Sequence, residues 1–175
     1  MMMLKKSITL FLPFLMIISC ASSEEKLQNI KDYVEKISAE IKFEDGFNSI
    51  KVKGEKRSRF RSYYQNDEIV FINEDMNIGN RGDSANKYFF RNGELVYYKE
   101  DTIVLKDDSL NISGKSIIRV EIYFDGTNVL HSVRTIKGLE MTLRNEEINS
   151  IIEHSKILKE LADINRPAIN NTTNN

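Results

Sequence analysis

The sequence predicts an α+β domain: a meandering antiparallel sheet of six or more strands, built from repeated hairpins, with one helix before it and one after. Three observations carry this. Residues 24–42 and 145–164 place apolar side chains at spacings of three and four, the helical period. Between them, three segments repeat one pattern of an aromatic pair, a turn and an aliphatic pair. The same stretch contains no proline, so every backbone N–H is available to a strand ladder. The runner-up is a curled, barrel-like sheet with the helices packed outside.

The chain divides into residues 1–19, a signal; 20–26, an anchor and tether; 27–164, one domain; and 165–175, a disordered tail. Lys5 and Lys6 precede a largely apolar run from Ile8 to Ile18, broken by Thr9 and Pro13. That run is shorter than the roughly 18 residues a stable membrane span requires. Ile17-Ile18-Ser19-Cys20 resembles the lipobox of bacterial lipoproteins, and Cys20 is the only cysteine of the chain. The resemblance implies cleavage before Cys20 and acylation of its thiol and new amino group. Several acyl chains would hold the protein on a membrane, since one alone binds only marginally. In that family a non-aspartate after the cysteine, here Ala21, implies transfer to the outer membrane. Acidic residues such as Glu24 and Glu25 resemble export tethers, which leaves a periplasmic or surface-facing position open.

In the first helix, Leu27, Ile30, Val34, Ile37 and Ile41 form a narrow stripe that docks on the sheet. Ser22 or Ser23 caps it, Glu24 and Glu25 complement its dipole, and Gly46 is expected to end it. In the second, Asn145 is the expected cap, with Ile148, Ile151, Ile152, Leu158, Leu161 and Ile164 on the apolar side.

The repeated segments are 63–71, 89–97 and 123–131. Asn92-Gly93 is the strongest hairpin signal, Asn66-Asp67 a weaker one, and Asp125-Gly126 opens a longer loop. The body resembles lipoproteins and secreted bacterial proteins with tandem aromatic-turn-aliphatic hairpins. It lacks the glycine pattern of MORN repeats, so no function follows from that family. Uninterrupted pairing from each turn puts Phe60, Tyr64, Ile69, Phe71, Tyr88, Phe90, Leu95, Tyr97, Val120, Ile122, Phe124, Val129 and Val133 on one core face. The opposite face then carries Arg59, Arg61, Tyr63, Phe89, Tyr98 and Tyr123, the candidate binding face, with aromatics and arginines as contact residues. The alternative is a second core layer, covered by one of the two helices.

Little points to catalysis. His131 falls on the core face and His154 on the second helix, both as structural residues. Glu74-Asp75 and Asp107-Asp108 read as solvated loop acids. Arg81-Gly82-Asp83-Ser84 falls in a loop and reads as turn residues. Lys51, Lys53, Lys56, Arg57, Arg59 and Arg61 read as a solvated edge protected by charge. With 25 basic and 26 acidic residues, the charge balance gives no case for nucleic acid. No cofactor or metal ligand set is expected. The expected function is a non-enzymatic, membrane-anchored cell-envelope lipoprotein that binds another protein or an envelope polymer through its sheet. The alternatives are a surface-displayed host-interaction factor, such as an adhesin or an inhibitor of a host lytic enzyme, and an unrecognised hydrolase.

Overall fold

A computed structural model describes residues 22–53, 56–79, 82–107 and 112–166. Cys20, the signal and the tail beyond Arg166 lie outside the described residues. The elements are α1 (Ser23–Glu40), a 3-10 turn (Phe43–Asp45), β1 (Phe47–Lys53), β2 (Lys56–Gln65), β3 (Glu68–Asn77), β4 (Gly82–Arg91), β5 (Glu94–Asp107), β6 (Ile112–Asp125), β7 (Asn128–Ile136), β8 (Leu139–Met141) and α2 (Asn145–Asn165). The eight strands form one antiparallel meander in chain order, as the repeated hairpins predict. No helix among the described residues is long and apolar enough to cross a membrane.

Local chemistry accounts for the turns and helix ends. Asn66 and Asp67, like Asn92 and Gly93, both take positive φ, which defines type I′ turns and matches the strand twist. The third turn is tighter than expected: Asp125 pairs with Asn128, leaving two residues, and Gly126 supplies the positive φ. Ser22 Oγ accepts from the Glu25 N–H at 3.2 Å and caps α1. Gly46 does not end this helix, because Ile41 has already turned extended. Its glycine is required by close approach, since a Cβ there would collide with the Arg61 stem and the Tyr63 ring. Asn145 is the first helical residue of α2 rather than its cap. Arg144 takes that place, and its N–H donates to Glu147 Oε2 at 3.0 Å.

The largest departure from the expected register is a β-bulge that recurs in each repeated hairpin. Pairing shifts between Tyr63 and Tyr64, between Phe89 and Phe90, and between Tyr123 and Phe124. Each shift lies opposite the aliphatic pair, so Val70, Val96 and Leu130 are the extra residues. A bulge moves all side chains beyond it to the opposite face. Phe71 and Tyr97, expected beside Ile69 and Leu95, therefore lie on the other side, whereas Tyr98 joins Tyr88. His131 leaves the expected core face and is exposed beside Tyr123.

Both sheet faces carry a helix. α2 covers Phe60, Ile69, Ile72, Tyr88, Phe90, Leu95, Ile122 and Phe124 with Ile148, Leu158 and Ala162. α1 covers the other face with Ile30 and Ile37, each 1% exposed. Beneath α1 the bulges align one ring per strand, Tyr63, Phe71, Phe89, Tyr97 and Tyr123, with centroids 4.6–5.6 Å apart. The exposed His131 ring continues the row 6.1 Å from Tyr123. Fully burying one such side chain contributes roughly 1.5–3 kcal/mol before its ordering entropy is charged.

Candidate binding groove

α1 crosses only the end of its face near the hairpin turns. Lys26 Nζ meets Asp125 Oδ2 at 2.7 Å, the Tyr33 hydroxyl donates to the Phe90 carbonyl, and Gln65 Nε2 donates to Glu40 Oε2 at 3.0 Å. Beyond the aromatic ladder this face is open. The strand registers lay out its next two rows. The first runs Asn48, Arg61, Asn73, Lys87, Lys99, Glu121, and the second Ile50, Arg59, Asp75, Ala85, Asp101, Arg119.

These rows differ along their length. At β5 and β6 the charges neutralise one another: Lys99 lies 3.8 Å from both Asp101 and Glu121, and Arg119 lies 3.3 Å from Asp101. At β1–β4 lies an open groove of about 1150 Å³ that also reaches Ser49, Phe60 and Asn165 on the α2 side. Its charged lining is Arg59, Arg61 and Lys87 against one acid, Asp75. Arg61 is positioned by its neighbours, its stem against Gly46 and its Nε donating to Asn48 Oδ1 at 2.8 Å. Arg59 and Lys87 are exposed, and among the described residues neither has an ion-pair partner. An excess of cations in a concavity raises the local concentration of anions.

The sequence-predicted binding residues divide three ways. Arg59 and Arg61 line the groove, and Tyr63 forms part of its floor. Phe89 and Tyr123 are buried under α1 at 3% and 9% exposure, so these rings are packing rather than a contact surface. Tyr98 lies on the other face, because the bulge at Phe89/Phe90 inverts the register there. The expected composite surface of six residues is therefore not formed. Sequence reasoning missed Asn48, Asn73, Asp75 and Lys87, which reach the groove only through the pairing of β1, β3 and β4 with β2. The signal for them was alternation with the aromatic positions: Asn73 is two residues from Phe71, and Lys87 two from Phe89.

A second polar constellation lies under α2. Glu74, expected in a loop, sits within β3 and is fully buried. Its Oε2 lies 2.7 Å from His154 Nε2 and accepts from the Tyr88 hydroxyl at 3.1 Å. Lys51 Nζ reaches His154 Nδ1 at 2.8 Å. An ammonium only donates, so Nδ1 is the acceptor and the imidazole proton sits on Nε2, facing Glu74. Burial, the largest single influence, pushes the Glu74 pKa up, but the interactions of His154, Ser58 and Asn86 with the carboxylate together outweigh it and hold the carboxyl below its usual range. Burial raises the Tyr88 and Tyr98 phenols well above their usual value, so both remain donors. Tyr98 donates to Glu100 Oε2 at 3.0 Å. The array ties β1, β3 and α2 together. Among the described residues no group of three or more His, Cys, Asp or Glu is placed to hold a metal.

Comparison with protein families, with curated proteins and with solved structures found no match to this chain.

Proposed function

We propose that the chain is a lipid-anchored, non-enzymatic binding protein of the bacterial cell envelope, which holds another protein or an envelope polymer on the open part of its α1 face. The observation that carries the binding reading is the groove bordered by Arg59, Arg61 and Lys87, concave and rich in cations on a rigid sheet. A non-enzymatic role is supported by His154, whose two ring nitrogens are both engaged, one by Lys51 and one by Glu74. The anchor rests on the lipobox-like Ile17-Ile18-Ser19-Cys20, and the outer-membrane destination on Ala21. The groove could equally meet host molecules if Glu24 and Glu25 direct export to the cell surface.

Two measurements test this. A photo-crosslinking residue at Asn73 should capture a discrete partner in intact envelopes, whereas the same residue at Glu153, exposed on α2, should not. Equal labelling at both sites would sink the binding face. Separately, a Cys20→Ala protein should incorporate no labelled fatty acid, and persistent acyl label would remove the anchor. Protease digestion of intact cells distinguishes a periplasmic from a surface-facing domain.

A further inference from the structure

Resting on that reading of the open face, we infer that the β1–β4 half of the groove is a site for an anionic oligosaccharide whose sugar rings carry carboxylate groups. The first argument is charge. Of the two halves of the open rows, only β5–β6 is neutralised from within, by Lys99, Asp101, Arg119 and Glu121. The β1–β4 half keeps Arg59 and Lys87 without an ion-pair partner among the described residues, beside Arg61. Asp75 is the acid among them, and Asp83 and Asp101 line the adjoining cavity on the far side of Arg59. A ligand with negative charge completes this half as the side chains themselves complete the other.

The second argument is the kind of polar group. Guanidinium groups bind carboxylates through charge-assisted, paired hydrogen bonds. The amides of Asn48 and Asn73 each offer both a donor and an acceptor, and the Asp75 carboxylate is an acceptor. Hydroxyl groups need both kinds, whereas a bare phosphate or carboxylate needs donors alone. Amide, carboxylate and guanidinium side by side therefore suit a ring bearing hydroxyls and an acid group.

The third argument is spacing. Arg61, Asn73 and Lys87 stand on successive strands, about 4.8 Å apart in a sheet. That interval is comparable to one pyranose ring, so a saccharide lying across the strands meets one polar side chain per ring. An acidic peptide fits less well. The exposed aliphatics of this face, Ile50 and Val52 on β1, Ile103 on β5 and Ile117 on β6, lie outside the row of Arg61, Asn73 and Lys87. A ligand seated on that row meets polar heads in front of the ring floor rather than the apolar anchors a peptide side chain would use.

The test uses the detergent-solubilised full chain and calorimetric titration with trigalacturonate, a hyaluronan tetrasaccharide, neutral maltotriose and hexaglutamate. At least one of the two acidic saccharides should bind, more weakly as salt rises, with maltotriose and hexaglutamate weaker by about tenfold or more. Arg59→Ala and Lys87→Ala should each weaken that binding by about tenfold, the loss of one charge-assisted hydrogen bond. Arg119→Ala, in the neutralised half, should leave it unchanged. Failure of both acidic saccharides to bind a protein with unaltered circular dichroism overturns the inference, as does maltotriose binding equally well. Hexaglutamate binding as tightly also overturns it and makes the groove a peptide site. Loss of crosslinking at Asn73 would instead remove the binding face itself, so the two failures are distinguishable.

Discussion

The two faces of the sheet are covered by helices of similar length, yet one is sealed and the other only half closed. α2 follows a diagonal course across its face. Its Glu147 reaches Arg134 of β7 at 2.6 Å, Lys159 Nζ reaches the Gly93 carbonyl at 3.0 Å, and Arg166 reaches Asp67 at 2.8 Å. α1 lies along the turn end alone. The sealed face contains buried polar groups bonded to one another, with only Glu74 Oε1 and Arg166 Nε left unpartnered among the described residues, and the half-closed face leaves polar groups facing water. The two faces therefore divide their polar groups differently: the hydrogen-bonded groups under α2 serve the fold, and the exposed charges beside α1 face solvent.

The contrast breaks most severely at His154. Replacing it by alanine strands the Glu74 carboxylate in the core, which should cost about 3–5 kcal/mol in denaturant unfolding. A second change, Glu74→Leu, should recover most of that loss by removing the stranded charge. An unchanged midpoint for His154→Ala would mean that the pair does not hold α2.

On the other face, Ile37→Ala should cost about 3 kcal/mol through the cavity it leaves against the aromatic ladder. If α1 is only loosely docked, the loss will stay below about 1 kcal/mol.

Arg134→Ala is smaller and depends on pH. The Arg134 hydrogen bond holds the Glu147 pKa down to about 2, from an ordinary value of 4.5. A lowered carboxylate pKa stabilises the fold above the unfolded value and loses that contribution as pH falls through the folded one. The variant should therefore be about 1 kcal/mol less stable at neutral pH, and the difference should shrink as pH falls from 4.5 toward 2 and vanish only below that. Glu74 has the same sign, so stability should fall as pH drops below 4.5 even in the Arg134→Ala protein.

The smallest effect sharpens the comparison from the open side. Arg59→Ala and Lys87→Ala should each change stability by less than about 0.5 kcal/mol, because neither side chain is buried or paired among the described residues. A larger loss from either would place that residue in the fold.

Much of the architecture was legible in the sequence. The positive-φ turns at Asn66-Asp67 and Asn92-Gly93 fix where strands reverse, and apolar spacing fixes both helices. What escaped was the bulge. Strand alternation is a period-two signal, and one extra residue reverses its phase without changing composition. Tyr97 and Tyr98 thus exchanged faces while the hairpin itself was correctly placed. Its signature is present in the repeat: Val70-Phe71, Val96-Tyr97 and Leu130-His131 each follow an aliphatic residue that already faces the opposite side. Glu74 escaped because a fully buried carboxylate depends on its partner, and His154 stands eighty positions away on another element. The groove was legible only through Arg59 and Arg61, since Lys87 and Asn73 join them by strand pairing alone.

The position of α1 also sets how the domain resists force. Its first turn is fastened at the β6–β7 turn through Lys26 and Asp125, and its axis crosses the strand ends. Tension applied at Ser22 would meet this helix first and lift it from one end, releasing the aromatic rows in succession. The hydrogen-bonded ladders between strands would stay intact until the helix had left. α2 is pinned at its far end by Arg166 and Asp67 and is not in the line of such a pull. The meander and its sealed face therefore form a mechanically separate unit, and α1 behaves as a strap that gives way before it.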